Sequence, residues 1–147
     1  FMPELGWLKE FLEDLEPLYD IILLDGVDFH ALPPALVETI LLVVTPDSLA
    51  IRAAAMYSRA LFEAGATEVR LVINKVSPVV LPMYGARDFD DVIDTIGAQL
   101  IGVVPTSPVL EFSSNNAQKL EEEILPVEVF ENIAARLLGE RPHLLVK

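Results

Sequence analysis

Apolar positions in this chain follow two different periods. Near-continuous apolar runs occur at 19–25, 40–45, 69–74 and 100–104, and between them apolar residues return every three to four positions. A strand buried on both faces shows as an unbroken Ile/Leu/Val run, whereas a helix that covers it shows a single apolar stripe. The pattern therefore predicts an α/β fold, a parallel sheet with helices on both faces, as one domain over 1–147. The first run, Tyr19-Asp20-Ile21-Ile22-Leu23-Leu24-Asp25-Gly26, is expected to be a central strand with Asp25 at its carboxyl end. Open α/β sheets place ligands at that end. An acid there holds a magnesium ion beside phosphates, or it starts a turn with Gly26; both readings stand at this point.

Between the strands, Leu5, Leu8, Phe11, Leu12 and Leu15 form the stripe of a first helix that Pro17 ends. The segment from Val27 to Pro33 is a loop, with Pro34 suited to the first turn of a short helix. Asp47 or Ser48 can cap a second helix, with Leu49, Ala53, Met56, Tyr57, Ala60, Leu61 and Ala64 as its expected buried face and Gly65 as its stop. Residues 77–88 read as a long loop or lid, 90–96 as a helix stopped by Gly97, and 109–114 as a short helix. Glu121-Glu122-Glu123 reads as a solvated face. A last helix over 127–138 shows Val127, Phe130, Ile133, Ala134, Leu137 and Leu138 on one side and is capped by Gly139.

Composition narrows the function. A formal net charge of −13 argues against gripping a nucleic-acid backbone directly, because phosphate contacts need Lys and Arg. Cysteine is absent and the histidines, His30 and His143, are far apart, so neither a thiolate site nor a histidine metal site is expected. With no membrane-length apolar segment, a soluble cytoplasmic protein is the expectation.

Asp25, Thr45, Asn74-Lys75 and Pro105 close the successive strands. In order and with their flanks they resemble the MinD/ParA family of deviant-P-loop ATPases, from about Tyr19 onward. Tyr-Asp-Ile-Ile-Leu-Leu-Asp at 19–25 is similar to the family's Walker-B and switch-II strand, and Val44-Thr45-Pro46-Asp47 to its Thr-Pro-Glu helix entry. Leu71-Val72-Ile73-Asn74-Lys75-Val76 resembles its Asn-Arg or Asn-Lys strand end, Leu100 to Pro105 its Gly-Val-Ile-Pro strand, and Ser114-Asn115 its Ser-Asn-x-Gly turn. The resemblance implies that Asp25 serves the metal and that Asn74, Lys75 and Pro105 border the adenine of ATP, with Mg2+ as companion ion. It also implies ATP-driven dimerisation and a role in bacterial division-site or cargo positioning.

Departures matter as much. Gly26-Val27-Asp28-Phe29 stands where MinD proteins usually carry Ser-Pro-Ala-Gly, Asp47 replaces Glu, and Ala117 replaces the turn glycine. The Gly-x-x-x-x-Gly spacing of Gly97 and Gly102 leads into Val103-Val104, not Lys and Ser/Thr, so it is no Walker A. The expectation is thus the C-terminal portion of such an ATPase, inactive alone, without catalytic residues, and partnered by a second copy or a complementing N-terminal half. Two alternatives stay open: a non-catalytic interaction module without a phosphate loop, and a receiver-like domain with Asp25 as phospho-acceptor. The tail Arg141 to Lys147 is short and broken by Pro142, so membrane binding is not expected. If the strand leading into the phosphate loop is missing, the edge beside Asp25's strand needs cover from a second chain, a swapped element or a rearranged sheet.

Overall fold

The computed structural model describes residues 5–26, 33, 36–77, 89–116 and 125–144. Three of the four apolar runs pair: β1 (Ile40–Val44), β2 (Val69–Val76) and β3 (Gln99–Pro105) form a parallel sheet in the order β1-β2-β3. From Ile40↔Val69 to Val44↔Ile73 the β1–β2 register is unbroken. Between β2 and β3 two irregularities cancel. Leu71 lies opposite Leu100 but Val72 opposite Gly102, so Ile101 is extra on β3. Ile73 lies opposite Val103 and Val76 opposite Pro105, so Asn74 and Lys75 together face Val104.

Such two-against-one bulges switch the face to which later side chains point. Val69, Leu71 and Ile73 enter one core, and Val76 joins them there although strict alternation would send it to the opposite face. Without the bulge, Lys75 would occupy that apolar position, where an unpaired ammonium is costly.

Each face of the sheet carries helices. On one side α2 (Ser48–Glu63) and α3 (Phe89–Ile96) contribute Ile51, Ala54, Leu61, Val92 and Ile96 to a core with Leu71, Ile73 and Val103. On the other, α5 (Leu125–Leu137) sets Val129 and Ile133 against Val72, Ile101 and Val104, with Leu110 of α4 (Pro108–Asn116) at the margin. α1 (Leu5–Leu15) lies ahead of the sheet in sequence and stacks Trp7 on Phe11 across one helical turn, ring centroids 5.3 Å apart.

Three expectations are corrected. The run 19–25 is not part of the sheet: Ile21 is 61% and Leu23 80% exposed. A strand exists only through a ladder to a neighbour, and none among the described residues pairs with this run. Secondly, α2 is rotated from the expected face, burying Ile51, Ala54, Ser58 and Leu61 while Leu49 is 77% and Met56 75% exposed. Thirdly, α5 buries Val129 and Ile133, leaving Phe130 and Leu138 outside. Both helices carry more apolar positions than one stripe needs, and only the sheet decides which stripe is used. Most of the loop at 27–34, the loop or lid at 78–88, the turn at Ala117 and Glu121-Glu122-Glu123 lie outside the described residues.

Candidate functional site

Because all three strands run parallel, their carboxyl ends share one edge of the sheet. After β1, the Thr45 hydroxyl donates to Asp47 Oδ2 at 2.5 Å, while Asp47 Oδ1 accepts the N–H groups of Leu49 (3.1 Å) and Ala50 (2.9 Å). The Thr45 hydroxyl foremost, then the Ala50 N–H, holds the Asp47 carboxyl below its ordinary range. After β3, Ser107 Oγ accepts the N–H of Leu110 at 3.3 Å. Two capped helices, α2 and α4, thus begin at this edge.

Between them is the Asn74–Lys75 bulge. Lys75 has φ 58°, the one positive value at a non-glycine among the described residues. Its N–H donates to Asn74 Oδ1 at 2.8 Å. Immediately beyond, Thr106 N–H donates to the Val76 carbonyl at 2.9 Å, and Val76 faces Pro105. Asn74, Lys75 and Pro105 therefore stand together where β2 and β3 end. Lys75 is exposed, and Asn74 and Pro105 are half-buried. A carboxamide here carries the acceptor-and-donor pair that matches the N6 and N7 groups of adenine.

Asp25 is not on the strands that carry these three. It is exposed, ends the run that lies outside the sheet, and precedes Gly26 at φ 68°. The described residues contain no group of three or more His, Cys, Asp or Glu able to hold a metal. Magnesium takes one or two carboxylates with phosphate oxygens and waters. A single carboxylate such as Asp25 fits a magnesium ion shared with a phosphate chain and does not fit a self-contained metal centre.

The left-handed bulge escaped the sequence reading. Its one signal was a lysine following an asparagine near the end of the strand, at the position strict alternation assigns to the core. Gly97 and Gly102 are unrelated to phosphate binding geometrically: Gly97 turns the chain after α3 at φ 70°, and Gly102 lies inside β3. Among the described residues no helix is long and apolar enough to cross a membrane.

Similarity to known proteins is concentrated in one group. No protein-family model matches the chain. A septum site-determining MinD relative of Emiliania huxleyi is 33% identical over 145 residues, covering 90% of this chain and 52% of the relative. The septum site-determining protein MinD of Synechocystis sp. is 27% identical over 142 residues, covering 90% and 53%. The solved MinD cell division protein of Aquifex aeolicus superposes with a TM-score of 0.86 at 22% identity, over 97% of this chain and 64% of that one, and shares the fold. The chain spans about half the length of the curated relatives it matches. With the strand-end motifs in family order and this likeness along nine-tenths of its length, the chain belongs to the MinD/ParA family.

Proposed function

We propose that this chain is the base-side portion of a MinD-like, division-related ATPase, with 1–147 acting as a single domain. In this reading Asn74, Lys75 and Pro105 border the adenine of ATP, and Asp25 serves the Mg2+ that accompanies its phosphates. The observation that carries it is the bulge that sets Asn74 and Lys75 beside Pro105 at the carboxyl edge of a parallel sheet. Bound ATP supplies the phosphoryl chemistry; the residues named here orient the base and hold its companion ion. The phosphates need backbone N–H groups and a lysine that the sequence does not provide in Walker A form. A second copy or a complementing N-terminal half is the proposed source, in the cytoplasm, with hydrolysis following assembly.

Calorimetric titration of the chain with ATP and Mg2+, alongside Asn74→Ala and Asp25→Ala, tests this reading. Binding that both substitutions weaken is the expected result, with Asp25→Ala acting only when magnesium is present. A folded chain that binds no nucleotide sinks the reading. That outcome would favour an interaction module instead, for which the exposed Ile21, Leu23 and Val43 speak.

A further inference from the structure

The conformation of Lys75 calls for an explanation beyond keeping an ammonium out of the core. One bulge type places its extra residue near the right-handed region, and the type that uses the left-handed region puts a glycine there; here a lysine, Lys75, holds φ 58°, which residues other than Gly, Asn, Asp and His rarely adopt. Residues held this way persist when their surroundings over-determine them, and they cluster at ligand clamps. Here the surroundings are visible. Upstream, Ile73 is fixed opposite Val103; downstream, Val76 is fixed opposite Pro105, with its carbonyl bound by Thr106 N–H. Inside the bulge, the left-handed turn brings the Lys75 N–H to Asn74 Oδ1 at 2.8 Å.

That bond has a consequence for Asn74. A carboxamide on a half-buried strand end has free rotation about its terminal torsion. One Oδ1 lone pair accepting from the next residue's backbone removes that freedom, leaving the second lone pair and the two Nδ2 hydrogens in fixed directions. A fixed acceptor beside a fixed donor is what recognition of a purine edge requires.

We propose that Lys75 is a positioning residue, whose left-handed backbone at the β2 bulge, and not its ammonium, fixes the Asn74 carboxamide for a purine base. The inference rests on the nucleotide reading given above and adds to it the device that orients the base-reading group.

The test separates backbone from charge with variants that all remove the ammonium. Lys75→Gly and Lys75→Asn keep the left-handed conformation accessible, whereas Lys75→Val opposes it. In titrations with ATP and Mg2+, Lys75→Gly and Lys75→Asn are expected to bind alike, because both admit the left-handed conformation. Lys75→Val and Asn74→Ala are expected to bind about tenfold more weakly, the scale of one hydrogen bond. Equal binding by the Val and Gly variants overturns the proposal, as does weakening by all three Lys75 variants alike, which would make the ammonium the contact. An unmodified chain that binds no ATP, or an Asn74→Ala variant that binds normally, overturns the nucleotide reading and this inference together. Weakening by Asn74→Ala with normal binding by Lys75→Val overturns only the inference. Amide exchange in the unliganded chain gives a second readout, independent of binding and of how well the Val variant folds. The Lys75 N–H is expected to exchange several-fold faster in Asn74→Ala than in the unmodified chain, and an unchanged rate would show that the bond does not hold the carboxamide.

Discussion

Ile133 of α5 lies over Gly102 of β3 in the space a side chain would take. A Cβ built on Gly102 would stand 2.5 Å from Ile133 Cδ1 and nearer still to Cγ1, well inside van der Waals contact. The extra residue Ile101 makes this approach possible. By shifting the register it turns both Ile101 and Gly102 toward α5, and one of the two has to be without a side chain.

Gly102→Ala is therefore expected to destabilise the fold by about 1–3 kcal/mol through overpacking. Urea unfolding would measure it. Combined with Ile133→Ala, the added methyl has room, so the double variant should lie closer to Ile133→Ala alone than additivity requires. Additive losses would mean that the backbone and not Ile133 resists the methyl.

Asp47 caps α2, and Asp47→Ala should cost roughly 1 kcal/mol. The Thr45 hydroxyl holds the Asp47 carboxyl below the ordinary carboxylate range, so its ionised form stabilises the native state above that range. The contribution is lost as pH falls through the lower, folded-state value. Asp47→Asn keeps a capping oxygen without the titration. The stability difference between the unmodified chain and Asp47→Asn should therefore shrink below about pH 4. Glu68, held low by Arg70 at 2.7 Å, titrates in the same acid window in both proteins and cancels from the difference.

Residues 140–144 return along α5 as a strap. Arg136 Nη2 donates to the Pro142 carbonyl at 2.5 Å and Asn132 Nδ2 to the His143 carbonyl at 3.3 Å. Leu144 then packs on the core of the α2 and α3 side, although α5 belongs to the opposite face. Arg136→Met should release the strap at a cost of about 1–2 kcal/mol, since a charge-assisted bond is lost. Faster chymotrypsin cleavage after Leu144 would report the release. Cleavage at the unmodified rate would show that Leu144 alone anchors the strap.

Val43 is 60% and Leu23 80% exposed, and among the described residues β1 pairs on one side only. A short apolar edge strand without a charge is a template for pairing with other chains. Concentration-dependent association of the unmodified chain is expected in sedimentation velocity. Val43→Lys and Leu23→Lys should reduce it while leaving the urea midpoint nearly unchanged, because neither side chain is in the core. A lowered midpoint for either variant would show that its side chain is packed in solution.

Local chemistry was legible in the sequence wherever the deciding atoms are neighbours along the chain. Asp47 as a cap, Gly65 and Gly139 as helix stops, Pro17 after the first helix, and the apolar runs of β1, β2 and β3 all act within a few residues, and the structure has them so. The order of strand-end residues likewise carried the family. What tertiary structure decided is what depends on a distant partner. The run 19–25 is as apolar as β1, but a strand is a relation between two segments, and nothing described pairs with it. In α2 and α5 several apolar stripes compete, and the position of the sheet selects Ile51-Ala54-Ser58-Leu61 and Val129-Ile133. The left-handed turn at Lys75 follows from the same cause. Two bulges of opposite sense keep β2 and β3 in register while Val76, and not Lys75, enters the core, a compromise settled by two strands together.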